Sequence, residues 1–283
     1  MAETIGIIAG SGQYPFLVAN NARAQGYDVV ICGLTGNTDP EIAKEASAFI
    51  MLHVGQLSTM IEFMKNHGVK KLCMAGAVNK PRALDIRPDW RAAKLLMKLA
   101  RHKGDDAILR AISEELASEG IEVVRPDTLV KGLTDQESGV LTREAPSKEV
   151  WDDIRLGWTT AKTLGTLDVG QCVVIKQGVI VALEAIEGTD AALERAASLA
   201  GDGCTAVKAA KPGQDERIDL PSIGKHTIEL AVKLGFLCLA YESGRTLFFD
   251  KEESLALANE KGLAVVGIPP VAEVLFAKYG TGS

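Results

Sequence analysis

A carboxylate and a lysine interrupt two apolar segments in the second half of the sequence. Glu184 lies within VIVALEAIE, which otherwise predicts a strand buried on both faces, and Lys208 lies within CTAVKAA. A buried carboxylate needs a metal ion, a cation or a hydrogen-bond donor as its partner. Thr189 follows at a predicted strand-to-helix junction, where its hydroxyl either binds a ligand or caps the helix. These residues are therefore candidates for a binding site, with helix capping as the alternative for Thr189.

The segment KPGQDERIDLP brings charges of both signs together between a predicted strand and a predicted helix. Its charged residues are Lys211, Asp215, Glu216, Arg217 and Asp219. Such a run is usually a solvated loop, but a loop fixed between regular elements is also a common location for functional residues. Carboxylates beside lysine and arginine suit metal-assisted phosphoryl chemistry, in which Mg²⁺ binds one or two carboxylates together with the substrate phosphate.

The segment IIAGSGQYP, near the start of the sequence, contains half of a dinucleotide-binding motif. A β-branched strand runs into Gly10-Ser11-Gly12-Gln13, and Pro15 suits the first turn of a helix. Backbone N–H groups in the first turn of such a helix bind anions. The NAD fingerprint also requires a third glycine, where this sequence has Pro15, and an acid after the second strand, where it has Cys32-Gly33-Leu34. The part of the motif that defines NAD is therefore absent.

Further polar residues follow the predicted strands of the first half, at the edge where open parallel sheets bind ligands. Asn79 and Lys80 lie in GAVNKP, and Asp105 and Asp106 lie in KGDD, where a helix begins. Ordinary turn residues are the alternative to ligand binding, and for Asp105 the alternative is a plain helix cap.

The elements that must position these residues alternate regularly in the first half. Predicted strands lie at 5–9, 28–33, 48–53, 71–76 and 121–125, and predicted helices at 15–25, 57–67, 88–101 and 105–119. Short β-branched strands separated by helices favour a parallel sheet covered on both faces. We therefore predict a Rossmann-like N-terminal domain over residues 1–135.

The second half predicts a mixed α/β domain over residues 151–283, after a polar, turn-rich linker at 136–150. A hairpin is predicted across Lys176-Gln177-Gly178 and a second hairpin across Ser243-Gly244. The remaining predicted elements are strands near 204–210 and 263–268 and helices near 148–164, 190–200, 224–235, 251–261 and 270–279.

Composition excludes several classes of protein. The 283 residues carry a net charge of −6, with 31 basic and 37 acidic residues well mixed, so no general field attracts nucleic acid or anionic lipid. Five isolated cysteines in apolar runs predict reduced core thiols of a cytoplasmic protein rather than a zinc or redox site. No signal peptide is expected, and no stretch approaches the ~18 apolar residues that span a bilayer. Walker and G-x-S-x-G motifs are also absent.

Five segments together resemble the LpxI family, the UDP-2,3-diacylglucosamine pyrophosphatases of lipid A synthesis. They are IGIIAGSGQYP, GAVNKP, KGDD, EAIEGTD and RIDLPSIG, and they extend over essentially the whole chain in the family's order. The resemblance implies a Rossmann-like domain joined to a distinctive C-terminal domain, with substrate between them, in a homodimer. It implies that a Mg²⁺-dependent cytoplasmic enzyme, in transient contact with the inner membrane surface, hydrolyses UDP-2,3-diacylglucosamine to UMP and 2,3-diacylglucosamine 1-phosphate.

The same resemblance implies roles for individual residues. Asp219 matches the aspartate of the family's R-[VI]-D-x-P motif and is expected from the resemblance to be catalytic. Asp219 and Glu184, the carboxylate that interrupts an apolar strand, are the carboxylates predicted to hold Mg²⁺. The glycine loop is expected to cradle the phosphates of UDP, which needs no ribose acid because its pose differs from that of NAD. The expected substrate-binding residues are Gly10, Ser11, Gly12, Gln13, Asn79, Lys80, Asp105, Asp106, Thr189, Lys208, Lys211 and Arg217.

Two other classes of function stay open on the sequence. A nicotinamide-dependent oxidoreductase would share the fold, but fold is a poor guide to function and the missing acid weighs against this class. A protein that binds a nucleotide or a lipid without catalysis would leave Glu184 and the acid-rich loop with purely structural roles.

Overall fold

A computed structural model describes residues 2–76, 78, 87–98, 105–126, 134, 136–212 and 220–279. The side chains of residues 98, 105–107 and 279 lie outside this description. The chain forms two units, the first ending at Lys131 and the second beginning at Gly132.

In the first unit, the described residues form a parallel sheet of five strands. The strands are β1 (Thr4–Ala9), β2 (Asp28–Leu34), β3 (Ala48–Leu52), β4 (Lys71–Ala75) and β5 (Glu122–Val123). Their order is β3-β2-β1-β4-β5, and every neighbouring pair is parallel. The predicted Rossmann-like parallel sheet is confirmed, and its topological switch point lies between β1 and β4, where such sheets bind ligands.

Helices cover this sheet at the predicted places. They are α1 (Tyr14–Ala24), α2 (Leu57–Asn66), α3 (Trp90–Lys98) and α4 (Asp105–Ser118). A 3₁₀ helix at Pro40–Glu45 was not predicted; Asp39 caps it by accepting the N–H of Glu41 at 3.0 Å. The side chain of Val69 packs directly against β1 at Gly6. A Cβ on residue 6 would lie only 2.9 Å from Val69 Cγ1, so this contact requires glycine.

Charged side chains join α2, α3 and α4. The Asp89 carboxylate accepts the N–H of Ala92 at 2.9 Å and the N–H of Ser58 at 2.5 Å, so it caps both α3 and α2. Glu119, just after α4, accepts hydrogen bonds from Lys65 at 2.7 Å and from Arg91 at 2.5 Å. These two bonds, in that order, lower the pKa of Glu119 to about 2.

This carboxylate should make the first unit sensitive to acid. Because the folded-state pKa of Glu119 lies below its ordinary value of 4.5, its contribution is complete above pH 4.5 and is lost as pH falls toward 2. We expect Glu119→Gln to flatten the decline of the urea midpoint over this range, measured by circular dichroism. Glu114→Gln, at an exposed position of α4, is the matched control. Equal acid profiles for the two variants would contradict the assignment.

The second unit is built on a mixed sheet. Its described strands are β6 (Gly139–Val140), β7 (Cys172–Lys176), β8 (Val179–Leu183), β9 (Thr205–Lys208), β10 (Ser222–Ile223), β11 (Cys238–Glu242), β12 (Leu247–Phe248) and β13 (Ala264–Ile268). Six of the strands so described form one sheet in the order β6-β13-β11-β9-β7-β8. The neighbours β9, β11 and β13 are parallel, whereas β6, β7 and β8 pair antiparallel.

Two apolar cores lie on the two faces of this sheet. The helices are α5 (Lys148–Thr166), α6 (Thr189–Ala200), α7 (Lys225–Lys233), α8 (Lys251–Lys261) and α9 (Ala272–Tyr279). One core joins the sheet to α6, α7 and α8, and the other joins it to α5 and α9. Helix α5 lies directly on the sheet at Gly157, where a Cβ would lie 2.4 Å from Ile175 Cδ1. The predicted mixed α/β class is confirmed.

Of the two predicted hairpins, the first is confirmed. Strands β7 and β8 pair antiparallel across Gln177 and Gly178, which have φ of +51° and +75°. The buried Asp153 carboxylate of α5 accepts the N–H groups of both turn residues, at 3.0 and 2.6 Å.

The second predicted hairpin, across Ser243-Gly244, is wrong. Strand β11 lies between β9 and β13, while β12 pairs with β10 in a separate two-stranded parallel sheet. Both faces of β11 are buried, as expected for a central parallel strand, and Ser243 and Thr246 are buried as well. An apolar run that suits a hairpin arm equally suits a central strand, so periodicity alone did not distinguish them.

The segment expected to be a linker contributes to the second unit. Within 136–150, β6 pairs Val140 with Val266 of β13. The Thr142 hydroxyl accepts the N–H of Val265 at 2.9 Å, and the N–H of Arg143 donates to Asn259 at 2.7 Å. Polar residues of this segment thus form hydrogen bonds with the edge of the sheet and with α8. Composition alone does not distinguish such a segment from a solvated linker.

No helix of the described residues is long and apolar enough to cross a membrane.

Candidate active site

The glycine loop of the first unit joins β1 to α1 at the switch point of the sheet. The N–H of Gly10 donates to the carbonyl of Ala75, at the end of β4, at 2.7 Å. Gly76 has φ of +91°, and a Cβ there would lie 2.5 Å from the Ser11 carbonyl oxygen. The loop is thus held against the end of the neighbouring strand by backbone contacts that only glycine permits.

Gly12 leaves the outer side of this loop open. Its φ is +88°, and no heavy atom lies within 4 Å of the position that a Cβ would occupy. Gln13 precedes α1 without a side-chain hydrogen bond at the helix N-cap, so in the described structure that cap leaves the first-turn N–H groups to other acceptors. The geometry suits an anion approaching the start of α1.

The other predicted residues of the first unit are described only in part. Asn79 and Lys80 lie outside the described residues. Asp105 and Asp106 are the first residues of α4, and their side chains lie outside the description. Their predicted role in binding substrate therefore stays a prediction.

In the second unit, Glu184 and Thr189 lie together. Glu184 follows β8 and is 7% exposed. The Thr189 hydroxyl donates to its Oε1 at 3.0 Å, and the N–H of Gln171 donates to its Oε2 at 3.2 Å. The cap position of α6 is taken by Gly188, so the Thr189 hydroxyl supports the carboxylate instead of capping the helix.

The environment of Glu184 differs from the predicted strand buried on both faces. Strand β8 is the edge of the sheet, and Val179 is 63% exposed. Burial of the carboxylate comes from its position beyond the end of the strand, next to Gly170, whose Cβ would lie 2.0 Å from the Glu184 carbonyl oxygen.

Lys208 ends β9 at the carboxyl edge of the parallel strands. It is 6% exposed, and its ammonium donates to the carbonyl of Ser222 at 2.8 Å. This bond joins the end of β9 to the start of β10, on either side of the charged segment in sequence. A buried ammonium at this edge is suited to an anionic ligand.

Lys211 lies at the start of the charged segment. Its ammonium donates to the Asp168 carboxylate at 2.6 Å, and a Cβ on Gly165 of α5 would lie 2.9 Å from Lys211 Cα. The segment therefore begins in close contact with the end of α5. Arg217 and Asp219 lie outside the described residues, so their roles stay predictions.

Sequence reasoning missed a buried ion pair just before Lys211. Glu242, at the end of β11, is 1% exposed, and its Oε2 accepts the Lys162 ammonium at 2.6 Å and the N–H of Ala210 at 2.7 Å. The same ammonium donates to the carbonyl of Ala210 at 3.0 Å. Burial lowers the pKa of Lys162, against the raising effect of its bond with Glu242. The N–H and the carbonyl of Ala210 are thereby both hydrogen-bonded, directly before the charged segment begins at Lys211.

A sequence signal for Glu242 existed. It ends the apolar run LCLAYE, just as Glu184 and Lys208 interrupt apolar runs of their own. Assignment of that run to a hairpin concealed the signal. Lys162 offers no comparable signal, because one lysine on a helix with a polar face is unremarkable.

The described residues do not by themselves fit a divalent cation. Within the described ranges, no group of three or more histidine, cysteine, aspartate or glutamate residues could hold a metal ion. Both oxygens of Glu184 already accept hydrogen bonds, so its burial requires no metal. Asp219 is the remaining predicted ligand.

Comparison with known proteins covers both units. Residues 4–133 match the family model described as the LpxI N-terminal domain, and residues 137–266 match the LpxI C-terminal domain. A UDP-2,3-diacylglucosamine pyrophosphatase LpxI of Caulobacter vibrioides is 34% identical over 277 residues, covering 94% of this chain and 98% of that protein.

Solved structures resemble the chain only weakly. N5-carboxyaminoimidazole ribonucleotide synthetase from Thermotoga maritima has a TM-score of 0.28 and 15% identity, covering 64% of this chain and 41% of that one. A biotin carboxylase complex from Campylobacter jejuni has a TM-score of 0.30 and 12% identity, covering 71% and 42%. The chain spans less than half the length of these structures, and such scores carry no argument about function.

Proposed function

The chain belongs to the LpxI family and is a UDP-2,3-diacylglucosamine pyrophosphatase of lipid A biosynthesis, and from this premise we propose which of its residues perform the hydrolysis. The observation that carries the proposal is the 34% identity over 94% of the chain, which includes both units. Water adds to one phosphorus and the P–O–P bridge breaks, so the products are UMP and 2,3-diacylglucosamine 1-phosphate.

The glycine loop at 10–13 binds the phosphates of the substrate in this proposal. The open side of Gly12, the N–H groups at the start of α1 and the switch point of the sheet support this role. Asn79 and Lys80 follow β4 in sequence, whereas Asp105 and Asp106 begin α4. These four residues are proposed to complete the binding residues of the first unit.

Gly12 allows a direct test. We expect Gly12→Ala to raise the KM for substrate at least tenfold, because the new methyl group occupies the side from which a phosphate approaches. Gly26→Ala is the matched control, since Gly26 has φ of +87° and equally open space but lies after α1. Both variants carry the same backbone strain, of about 1 kcal/mol. Equal KM values for the two variants would contradict phosphate binding and show that the loop is only a structural turn.

The second half of the sequence supplies the groups that act on the pyrophosphate. Lys208, Lys211 and Arg217 face phosphate oxygens, and Asp219 accepts the proton of the attacking water or binds Mg²⁺. The buried ammonium of Lys208 and the fixed start of the segment at Lys211 support this arrangement. Thr189 orients Glu184, and the pair lines the same sheet edge.

Mg²⁺ is proposed as the cofactor, on the charge of the substrate and on the family rather than on the described residues. It would neutralise charge on the pyrophosphate, and Asp219 is the carboxylate proposed to hold it. Glu184 is assigned a supporting hydrogen-bonding role.

The activity is tested with purified full-length protein and UDP-2,3-diacylglucosamine dispersed in detergent. We expect stoichiometric UMP, measured by chromatography, and loss of turnover in EDTA that added Mg²⁺ restores. A change in NAD(P)H fluorescence without UMP release would instead support an oxidoreductase. Tight substrate binding without turnover would support a binding protein.

We also propose that the enzyme works as a cytoplasmic homodimer in transient contact with the inner membrane. The five cysteines are free and buried, which suits a reducing compartment.

Strand β8 ends the sheet with apolar side chains exposed, an edge suited to pairing with a second copy. Ile180→Lys should shift the sedimentation coefficient from dimer to monomer, whereas Leu199→Lys, on α6, should not. An unchanged dimer in Ile180→Lys would exclude β8 as the interface.

A further inference from the structure

Helix α3 presents apolar side chains to solvent that the fold of the first unit does not use. Trp90 is 68% exposed and Met97 is 72% exposed. They lie on the same side of the helix, because seven residues make nearly two turns. Ala93 lies between them on that side. Exposed tryptophan and methionine side chains along one side of a helix indicate a binding surface.

The opposite side of the helix is fully explained by the first unit. Ala92 is buried, and Leu95 packs against the same core. Arg91 pairs with Glu115 at 3.0 Å and with Glu119 at 2.5 Å. These contacts hold α3 against the first unit, so the orientation of its outward side is fixed.

The sequence around this helix is strongly basic, although the chain as a whole carries −6. Between residues 87 and 103 there is one acid, Asp89, whose carboxylate caps α2 and α3. The basic residues of the same stretch are Arg87, Arg91, Lys94, Lys98, Arg101 and Lys103.

Lys94 belongs to the outward side of the helix. It follows Trp90 by four residues, and its ammonium lies 5.6 Å from the centre of the Trp90 ring. An exposed tryptophan with a lysine beside it combines an apolar body with a positive charge. This is the composition of helices that lie in a membrane interface, where tryptophan is favoured at the headgroup level.

We propose that the outward side of α3, defined by Trp90, Lys94 and Met97, docks on an anionic lipid surface. The proposal rests on the proposed function for its purpose, which is to bring the enzyme to a diacylated substrate. Trp90 and Met97, with Leu96 of the same helix 42% exposed, are few large apolar side chains for a stable protein interface, which buries about 800 Å² on each partner. Reversible membrane contact needs only such an apolar anchor together with electrostatic attraction.

The chain contains its own spectroscopic reporter for this contact. Of its three tryptophans, Trp151 and Trp158 are 4% and 8% exposed, so a change in emission on adding lipid reports Trp90. We expect a blue shift with vesicles of phosphatidylglycerol and phosphatidylethanolamine, and no shift with phosphatidylcholine vesicles. Cosedimentation of the full chain with the anionic vesicles should decrease as salt is raised.

Variants separate the apolar and the electrostatic contributions. Trp90→Gln with Met97→Gln should reduce partitioning to the anionic vesicles at least tenfold. Lys94→Gln should reduce it about fivefold, as expected for one cation at an anionic surface. Leu199→Gln is the matched control, because Leu199 is also 68% exposed but lies on α6 of the second unit. Partitioning equal to that of the control would overturn the proposal.

Hydrolysis assays keep this proposal distinct from the proposed function. The double variant should hydrolyse detergent-dispersed substrate at the wild-type rate and vesicle-embedded substrate at least tenfold more slowly. Wild-type protein that hydrolyses dispersed substrate without binding anionic vesicles would overturn the docking surface alone. Vesicle binding without any hydrolysis would overturn the proposed function alone. Conversion of a dimer to a monomer by the double variant would show that the surface binds a second copy, and would overturn membrane docking.

Discussion

Asp219→Ala is expected to lower kcat for UMP release by several orders of magnitude while leaving the urea midpoint of unfolding nearly unchanged. A pyrophosphate carries at least two negative charges, so the attacking water must be activated while the phosphoryl charge is neutralised. Loss of the carboxylate removes the proposed base or metal ligand. It also removes a negative charge beside an anionic ligand, so substrate should remain on the purified variant, detectable by mass spectrometry.

Asp215→Ala is the matched control, because it removes the same charge from the same segment. We expect it to keep activity within a few fold of the wild type. If Asp219 only capped a loop or helix, its alanine variant would lose about 1 kcal/mol of stability and keep near-normal turnover. A destabilised but active Asp219→Ala enzyme would therefore exclude the catalytic assignment.

Glu242→Gln is expected to lower both stability and kcat. It removes the buried counter-charge of both Lys162 and Arg245, whose side chains are 23% and 22% exposed. Breaking a fully buried pair costs about 3–5 kcal/mol, and we expect a smaller loss here because both cations keep some contact with water. It also weakens the hold on the peptide at Ala210, because a neutral amide oxygen accepts the Ala210 N–H and the Lys162 ammonium less strongly than a carboxylate does. Because misplacement by about 1 Å can cost about a hundredfold in rate, kcat should fall even under conditions where the variant is fully folded.

A double variant separates the two effects. Lys162→Met with Glu242→Leu removes both charges, and well-packed apolar replacements of buried pairs are often neutral or stabilising. We expect the urea midpoint to recover while kcat stays low, since nothing then holds Ala210. Recovery of kcat together with stability would show that the pair acts only on stability. Glu253→Gln, in the exposed pair with Lys225, should leave the urea midpoint nearly unchanged.

The architecture was predictable from local patterns. Alternation of β-branched strands with helices that end near glycine predicted the parallel sheet, and each of its five strands lies within a few residues of its predicted place. The turn at Lys176-Gln177-Gly178 was predictable because Gly178 tolerates the positive φ that a two-residue turn requires.

What failed was pairing between distant strands. The run LCLAYESGRTLFFD fits two hairpin arms as well as a central strand followed by a short edge strand. The structure decides between them because Tyr241 pairs with β9 on one side and with β13 on the other. Both of those strands are distant in sequence. The Lys162–Glu242 pair was unpredictable for the same reason, since its members are 80 residues apart.

The candidate site followed a similar division. The polar interruptions at Glu184 and Lys208 correctly predicted buried charged groups. Their partners, the N–H of Gln171 and the carbonyl of Ser222, are backbone groups. Every residue carries these groups, so no sequence pattern distinguishes the ones that become partners.

Ala210 lies outside every strand and helix, yet its N–H and its carbonyl are both bonded to distant side chains. Its amide should therefore exchange with deuterium more slowly than amides of exposed loops, because its acceptor carboxylate is buried and local opening at Glu242 is needed to expose it. Glu242 follows Ala210 by 32 residues, so during synthesis the anchor stays incomplete until β11 has emerged and joined the sheet. The charged segment is thus positioned late in folding, and a nascent chain that ends before Glu242 lacks the carboxylate that holds it.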